Sequence, residues 1–215
     1  MRKTILIIIA ILAVLGGGAG YFFTHYVVMP AKTESDGVIK YKYDQVAIQK
    51  HVGFAENDQD GNLKEISKDD PRVVEISQIA LQWGRLISDR SYQTVSGVEE
   101  YGLYTKDLID RLNKQGDAEN TIGSYQTYDL IAKGSNYNVI NVIIFPDGKA
   151  FAQMESDLEI VATNDPEGVS GDWGFETGEV GETHHYQYGL DLKDVDGHYM
   201  IDGVGTYQTD AIIVD

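Results

Sequence analysis

An acidic, glycine-containing segment of the sequence has the residue types of a calcium loop. In "ENDQDGNLKE", Glu56, Asp58 and Asp60 supply side-chain oxygens at positions one, three and five, and Gly61 follows at position six. Position twelve is Ser67 instead of a bidentate acid, and no flanking pair of helices is indicated. We therefore expect an acidic turn here, with weak extracellular calcium binding as the alternative.

A second acidic segment, "DVDGHYMIDGVGTY" at residues 194–207, resembles a calcium loop only at its start. Aligned on Gly197, position one would be Leu192 and position twelve would be Gly203, and neither side chain can bind an ion. Asp196 followed by Gly197 instead predicts the two-residue turn of a β-hairpin.

Histidines are the other candidates for metal chemistry. His184 and His185 are adjacent, but neighbouring side chains on a strand point to opposite faces, so the two cannot readily chelate one ion. The chain has no cysteine. We expect no metal, no other cofactor and no disulfide.

The N-terminus predicts a membrane anchor. Arg2 and Lys3 precede an uncharged stretch from Thr4 to Met29 that is long enough to cross a bilayer. A cleaved signal peptide is the alternative, although no small-residue cleavage site is evident after the apolar run. The basic pair should stay in the cytoplasm, which places the rest of the chain outside. We expect an anchor at residues 1–29, a juxtamembrane connector at 30–69 and an extracytoplasmic domain at 70–215.

The charge of that exported part restricts its partners. Without Arg2 and Lys3, 15 basic residues face 34 acidic ones, a balance of −19. Phosphate groups would repel such a domain, so direct binding of nucleic acid is not expected.

Helix signals begin at residue 70. Asp70 as N-cap and Pro71 at the first helical position open an amphipathic helix that contains Trp83. The pair Ser96 and Glu99 forms a capping box that predicts a second helix. Thr105 is the expected cap of a third helix, which ends at Gly116.

From Thr121 onward the apolar period changes to two, which predicts strands. These are "TIGSYQTYDLI", "NYNVINVIIF", residues 149–160, the segment after residue 180, and residues 199–207. Pro146, Asp147 and Gly148 form a turn between two of them. Helices followed by antiparallel strands with one wet face predict an α+β fold.

The element order and the closing hairpin resemble the nuclear transport factor 2-like superfamily over residues 71–210. The matching pattern, L-x-x-x-x-D-G-x-(aromatic)-x-I-D, is formed by Leu192, Asp196, Gly197, Tyr199, Ile201 and Asp202. The resemblance implies two or three helices packed on a curved, cone-like antiparallel sheet. With the anchor, the chain is similar in plan to the inner-membrane scaffold proteins of type IV secretion and conjugation systems.

The cone implied by this resemblance can hold a ligand. Its candidate residues are His184, Asp129, Tyr186 and Tyr188, which would serve a small-ligand-binding or catalytic pocket. No Ser/His/Asp pattern, phosphate loop or metal spacing is recognisable, so catalysis is not the expected function.

Trp173 and Phe175, in the glycine-rich acidic loop at 163–179, are the candidates for binding a partner protein. The expected function is a non-enzymatic scaffold or assembly component of an envelope complex of the conjugation or secretion type. Its expected partners are other membrane or envelope proteins, the membrane itself through residues 4–29, and a second copy of the chain.

Overall fold

The computed structural model of the chain describes residues 53–165, 180–181 and 183–208. The expected anchor at 1–29 and the aromatic pair Trp173 and Phe175 lie outside the described residues. None of the helices in the described ranges combines the length and the hydrophobicity that crossing a bilayer requires.

The first helix, α1 (Pro71–Ser88), begins as predicted. The Asp70 side chain accepts a hydrogen bond from the Arg72 amide at 2.9 Å, and Pro71, which has no amide to leave unpaired, starts the first turn. Its apolar residues recur at helical spacing and are buried against the sheet: Val73, Ile76, Ala80 and Trp83.

The helix α2 (Lys106–Gln115) also begins at its predicted cap. The Thr105 hydroxyl accepts a hydrogen bond from the Leu108 amide at 3.2 Å. The helix ends at Gly116, whose φ of 69° lies in the left-handed region that glycine adopts at low cost.

A third helix, α3 (Asp117–Thr127), starts directly after Gly116, and the predicted strand from Thr121 is wrong at this point. The first turn of α3 carries acidic residues, Asp117 and Glu119, which favour a helix N-terminus. Thr121 and Tyr125 lie four residues apart on one face of the helix. Residues at this spacing also share a face in a strand, so a short pattern does not distinguish the two structures.

The capping box at Ser96 does not open an α-helix, so the helix predicted there is wrong. The Ser96 amide donates to Glu99 Oε1 at 2.5 Å as the motif requires, but only a 3₁₀ turn follows at Tyr101–Leu103. The next residue, Tyr104, bridges to Ile201, and the Thr105 amide donates to the Ile201 carbonyl at 2.8 Å. These contacts draw the backbone into an extended conformation after one turn.

The described strands form one mixed sheet. They are β1 (Gly53–Asn57), β2 (Leu63–Glu65), β3 (Arg90–Ser91), β4 (Ile131–Ile144), β5 (Lys149–Ala162), β6 (Thr183–Val195) and β7 (His198–Gln208). Their order in the sheet is β2-β1-β4-β5-β6-β7, with β3 also paired to β4. All pairs are antiparallel except β1 with β4. Register shifts between β4 and β5 mark bulges, which bend a sheet.

Both predicted turns are confirmed. The β4–β5 connection contains Gly148 at a φ of 78°. The β6–β7 connection consists of Asp196 and Gly197 at φ values of 55° and 88°, as a two-residue hairpin turn requires. The Asp194 carboxylate accepts a hydrogen bond from the Gly197 amide at 2.8 Å, so this acidic segment is a turn.

The three helices pack on one face of the curved, unclosed sheet, which confirms the expected α+β class. The hydrophobic core lies between the two layers, and it includes Ile76, Trp83, Leu108, Tyr125, Met154, Ile160, Leu190, Leu192 and Ile201. Residues 53–65, which the sequence placed in the connector, add two strands to this sheet. Membership of the nuclear transport factor 2-like superfamily stays a prediction.

We predict that Gly134→Ala destabilises the domain by about 1–3 kcal/mol, because the new methyl group would overpack the contact between α1 and β4. A Cβ at Gly134 would lie 2.0 Å from the Tyr137 hydroxyl oxygen and 2.5 Å from the Ser88 Cβ. The measurement is urea unfolding of the full-length chain.

Gly123→Ala is the matched control. Gly123 lies on α3 with open space around its Cβ position, so alanine there should stabilise the helix by up to about 1 kcal/mol. Equal effects of the two substitutions would contradict the packing described at Gly134.

Candidate functional site: a cavity between the helices and the sheet

A cavity of about 380 Å³ lies between the three helices and the inner face of the sheet. This volume is within the usual range of small-molecule sites, about 300–1,000 Å³. Aromatic rings form much of its wall: Trp83, Tyr104, Tyr125, Tyr186 and Tyr188. Charged side chains reach it from Arg90, Glu100 and Asp117.

The aromatic rings hold one another in fixed orientations. The Trp83 indole nitrogen donates a hydrogen bond to the Tyr104 hydroxyl at 2.8 Å. The Trp83 and Tyr188 rings meet edge to face with centroids 5.2 Å apart, and Tyr186 stacks on Tyr188 at 6.2 Å. Such pairs stabilise beyond the area they bury, so this wall is a rigid part of the fold.

A buried ion pair forms the polar side of the cavity. The side chains of Arg90 and Glu100 are only 9% and 7% exposed, and a guanidinium nitrogen of Arg90 contacts Glu100 Oε2. The same nitrogen lies 3.5 Å from Glu99 Oε2. Burial alone would lower the pKa of Arg90, but the two glutamates outweigh it and raise that pKa above its ordinary value. The guanidinium therefore keeps its charge, and it is already neutralised within the protein.

Asp117 faces the same cavity from the first turn of α3. Burial raises the pKa of its carboxyl group, and the Arg90 charge acts in the opposite direction. Burial also raises the pKa of the Tyr104 and Tyr125 hydroxyl groups, so both stay protonated. Besides Glu100, which is paired with Arg90, Asp117 supplies the other carboxyl group among the described residues of the cavity wall.

The structure brings together two of the four predicted pocket residues. Tyr186 and Tyr188 line the cavity. His184 is buried on the same face of β6 but does not line the cavity. Asp129 is exposed in the turn between α3 and β4, where its carboxylate accepts a hydrogen bond from the Asn164 side chain at 2.9 Å. A function for these residues stays a prediction.

Sequence reasoning missed the charged residues of the cavity. Arg90 lies in the two-residue strand β3, and Glu100 lies ten positions later in an irregular segment, so no periodicity assigns a face to either side chain. Asp117 was not singled out because its helix was read as part of the strand region. Trp83 was recognised as a core residue of α1, and its hydrogen bond to Tyr104 gives it a second role in the wall.

Two of the three predicted calcium candidates, Glu56 and Asp58, use their carboxylates in contacts within the protein. Glu56 forms an ion pair with Arg72 at 2.9 Å. One carboxylate oxygen of Asp58 accepts hydrogen bonds from the amides of Asp60 and Asn62, both at 2.9 Å. Within the described ranges, no group of three or more histidine or acidic side chains is placed to hold a metal ion.

The two adjacent histidines lie on opposite faces of β6, as the strand geometry predicted. His184 is buried, whereas His185 is partly exposed and contacts Asp157 at 2.8 Å and Glu155 at 3.5 Å. The hydrogen bond with Asp157 and the two carboxylate charges raise the pKa of His185.

A pair of carboxyl groups, Asp191 and Asp202, lies where β6 and β7 meet at a bulge. The Asp191 Oδ1 atom is buried and has no hydrogen-bond partner within the described part of the chain. Asp202 accepts a hydrogen bond from the Thr105 hydroxyl at 2.6 Å. Burial, together with the Asp202 charge, raises the pKa of Asp191 to about 8.

No family model matches the chain, and no curated relative does. One similar solved structure is an IcmL-like type IV secretion system protein from Legionella pneumophila subsp. pneumophila str. Philadelphia 1. It has 10% identity and a TM-score of 0.40, and the match covers 65% of this chain and 94% of that one. A periplasmic fragment of TraM has 10% identity and a TM-score of 0.38, with 63% and 97% covered. Likeness at this level carries no conclusion about function.

We predict that Glu100→Gln lowers the free energy of unfolding by about 3 kcal/mol, because it leaves the Arg90 charge buried with a weaker partner. Urea unfolding of the full-length chain measures the change. The exposed Glu65→Gln on β2 is the control and should stay within about 0.5 kcal/mol. Replacing both partners, Arg90→Met with Glu100→Leu, should recover most of the loss; no recovery would show that the pair is not the cause.

We predict that Asp191→Asn stabilises the protein near neutral pH. A carboxyl group whose pKa is about 8 when folded and about 3.9 when unfolded binds its proton more tightly in the folded state. Its contribution is therefore neutral below about pH 4 and becomes increasingly destabilising up to about pH 8.

The variant should gain roughly 2–4 kcal/mol at pH 7 and nothing at about pH 4, measured by urea unfolding at both values. Asp69→Asn, at an exposed aspartate, is the control. A gain that does not depend on pH would contradict the assigned cause.

Proposed function

We propose that the chain is a single-pass membrane protein whose extracytoplasmic domain is a non-enzymatic assembly component of an envelope complex. The anchor and its orientation are expected from residues 1–29. The conjugation or secretion context is proposed from the layout of the sequence, which is similar to that of inner-membrane scaffold proteins.

The observation that carries this proposal is the terminal strand of the sheet. The order of strands ends at β7, which pairs with β6 on one side only. Tyr104 and Thr105 cover the outer edge of β7 at Ile201. Beyond Ile201, no strand of the described part lies along that edge.

A strand edge of this kind is a template for another chain. Its backbone donors and acceptors can pair with an added strand, and this main-chain pairing is a common mode of protein recognition. Val204 is exposed on this part of β7, so an added strand would also cover an apolar side chain. The acidic balance of the domain favours a partner segment that carries basic residues.

We predict that a photo-crosslinking amino acid at Val204 captures a subunit of an envelope complex in the native membrane, because the open part of β7 binds it. Mass spectrometry identifies the adduct, and an adduct of twice the chain's mass identifies a second copy. Lys133, exposed on the internal strand β4, is the control position. Adducts of equal yield from both positions, or none from a folded and abundant protein at Val204, would contradict the proposal.

A second candidate function is the binding of a small ligand in the cavity. Its volume of about 380 Å³, its aromatic wall and its buried ion pair favour this function. Binding in the cavity and pairing along β7 would affect each other, since Val204 belongs to both the open edge and the cavity wall.

A further inference from the structure

We propose that the cavity between the helices and the sheet binds an alkylammonium group, with Asp117 as its counter-ion and the aromatic rings around its carbon atoms. The inference rests on the second candidate function, binding in this cavity, and it names the chemical class of the ligand.

Asp117 places a carboxyl group on the cavity wall, outside the ion pair of Arg90 with Glu100. Among the described residues that line this cavity, Arg90 is the only cationic side chain, and it contacts Glu100 and lies near Glu99. A carboxylate or phosphate ligand would find this guanidinium occupied and would be repelled by Asp117. Asp117 forms no hydrogen bond or ion pair with another described residue, and the charge that acts on its carboxyl group is that of Arg90. A cation is therefore the charged ligand that fits.

Aromatic rings form much of the remaining wall of the cavity. The faces of indole and phenol rings attract cations, most strongly where water is excluded. Five such rings line the cavity, and Trp83, Tyr104 and Tyr125 come from the helical side, as does Asp117. A ligand that contacts Asp117 would thus lie among electron-rich rings.

Leucine side chains form part of the apolar lining of the cavity. Leu108 and Leu112 of α2 face Leu158 of β5 across the space. These side chains offer no hydrogen bond, so they suit a hydrocarbon stem and not a fully hydrated ion such as sodium. A linear amine with a short apolar stem could pack its carbon atoms against the leucines and pair its ammonium group with the carboxylate.

An alkylammonium group can come from two sources. One is a lysine side chain of a partner polypeptide, which would connect the cavity to assembly, and the other is a free amine. Both sources present the same ammonium group. The probes therefore include one amine attached to a peptide-like backbone and one free amine.

The experiment titrates the full-length chain in detergent micelles and follows the indole N–H signal of Trp83 by NMR. This proton is donated to the Tyr104 hydroxyl in the cavity wall, so an occupant of the cavity should shift its signal. Trp83 is one of two tryptophans, and Trp173→Phe assigns its signal. The probes are Nα-acetyl-lysine methylamide, cadaverine and, as the uncharged match of the lysine stem, Nα-acetyl-norleucine methylamide.

We expect at least one of the two amines to bind about tenfold more tightly than the norleucine probe. Asp117→Asn should remove about tenfold of that affinity. Asp107→Asn, at an exposed acid in the first turn of the neighbouring helix and outside the cavity, should leave it unchanged. Stronger binding of the lysine probe assigns the polypeptide source, and stronger binding of cadaverine assigns the free amine.

Three results would overturn the inference. These are equal binding of the norleucine probe, unchanged affinity after Asp117→Asn, and no shift of the Trp83 signal with any amine at about 10 mM. Equal binding of the norleucine probe would leave the cavity as a ligand site and would reject the amine alone. No shift with any of the three probes would also remove the second candidate function.

Discussion

The buried ion pair between Arg90 and Glu100 is the contact on which the inner side of the domain depends. Arg90 belongs to β3, which pairs with β4 of the sheet, and Glu100 precedes the 3₁₀ turn that leads to Tyr104. Tyr104 in turn bonds to Trp83 of α1 and bridges to β7. One desolvated charge pair thus joins the sheet, the first helix and the connection between α1 and α2. A buried charge is costly without its partner. Separating the segment that carries Glu100 from Arg90 on β3 would therefore greatly lower the stability of the domain.

The hairpin formed by β6 and β7 connects the features of the domain that concern function. Its inner face supplies Tyr186 and Tyr188 to the cavity, and its last strand provides the open edge. The Asp191 and Asp202 carboxyl groups lie at its bulge. The same bulge region receives the cap of α2, because Thr105 bonds to both Ile201 and Asp202. A partner strand added to β7 would therefore touch a strand whose position also defines the wall of the cavity.

Sequence reasoning succeeded where one residue decides one local conformation. Asp70 with Pro71, and Asp196 with Gly197, satisfy backbone requirements that depend only on their neighbours, so their positions were predicted correctly. The helix α3 was missed because Thr121 and its neighbours fit a short alternating pattern as well as a helical one. The charged side of the cavity was missed for a different reason, since Arg90 and Glu100 meet only after the sheet and the segment between α1 and α2 have folded. Contacts of that kind depend on tertiary packing and leave no periodic signal.

The parallel pairing of β1 with β4 has a consequence for the order in which the domain forms. Gly53 is paired with Asn141, 88 positions later in the chain, whereas the strands from β4 to β7 pair with neighbours that follow closely. When the chain emerges from N-terminus to C-terminus, β1 cannot pair with β4 until the intervening part of the domain has been synthesised. During that interval it can pair only with β2, in a short hairpin that is marginally stable alone. Among the described strands, the one nearest the N-terminus is therefore one of the last to be incorporated. The newly made chain passes through a stage at which this segment can associate with other chains.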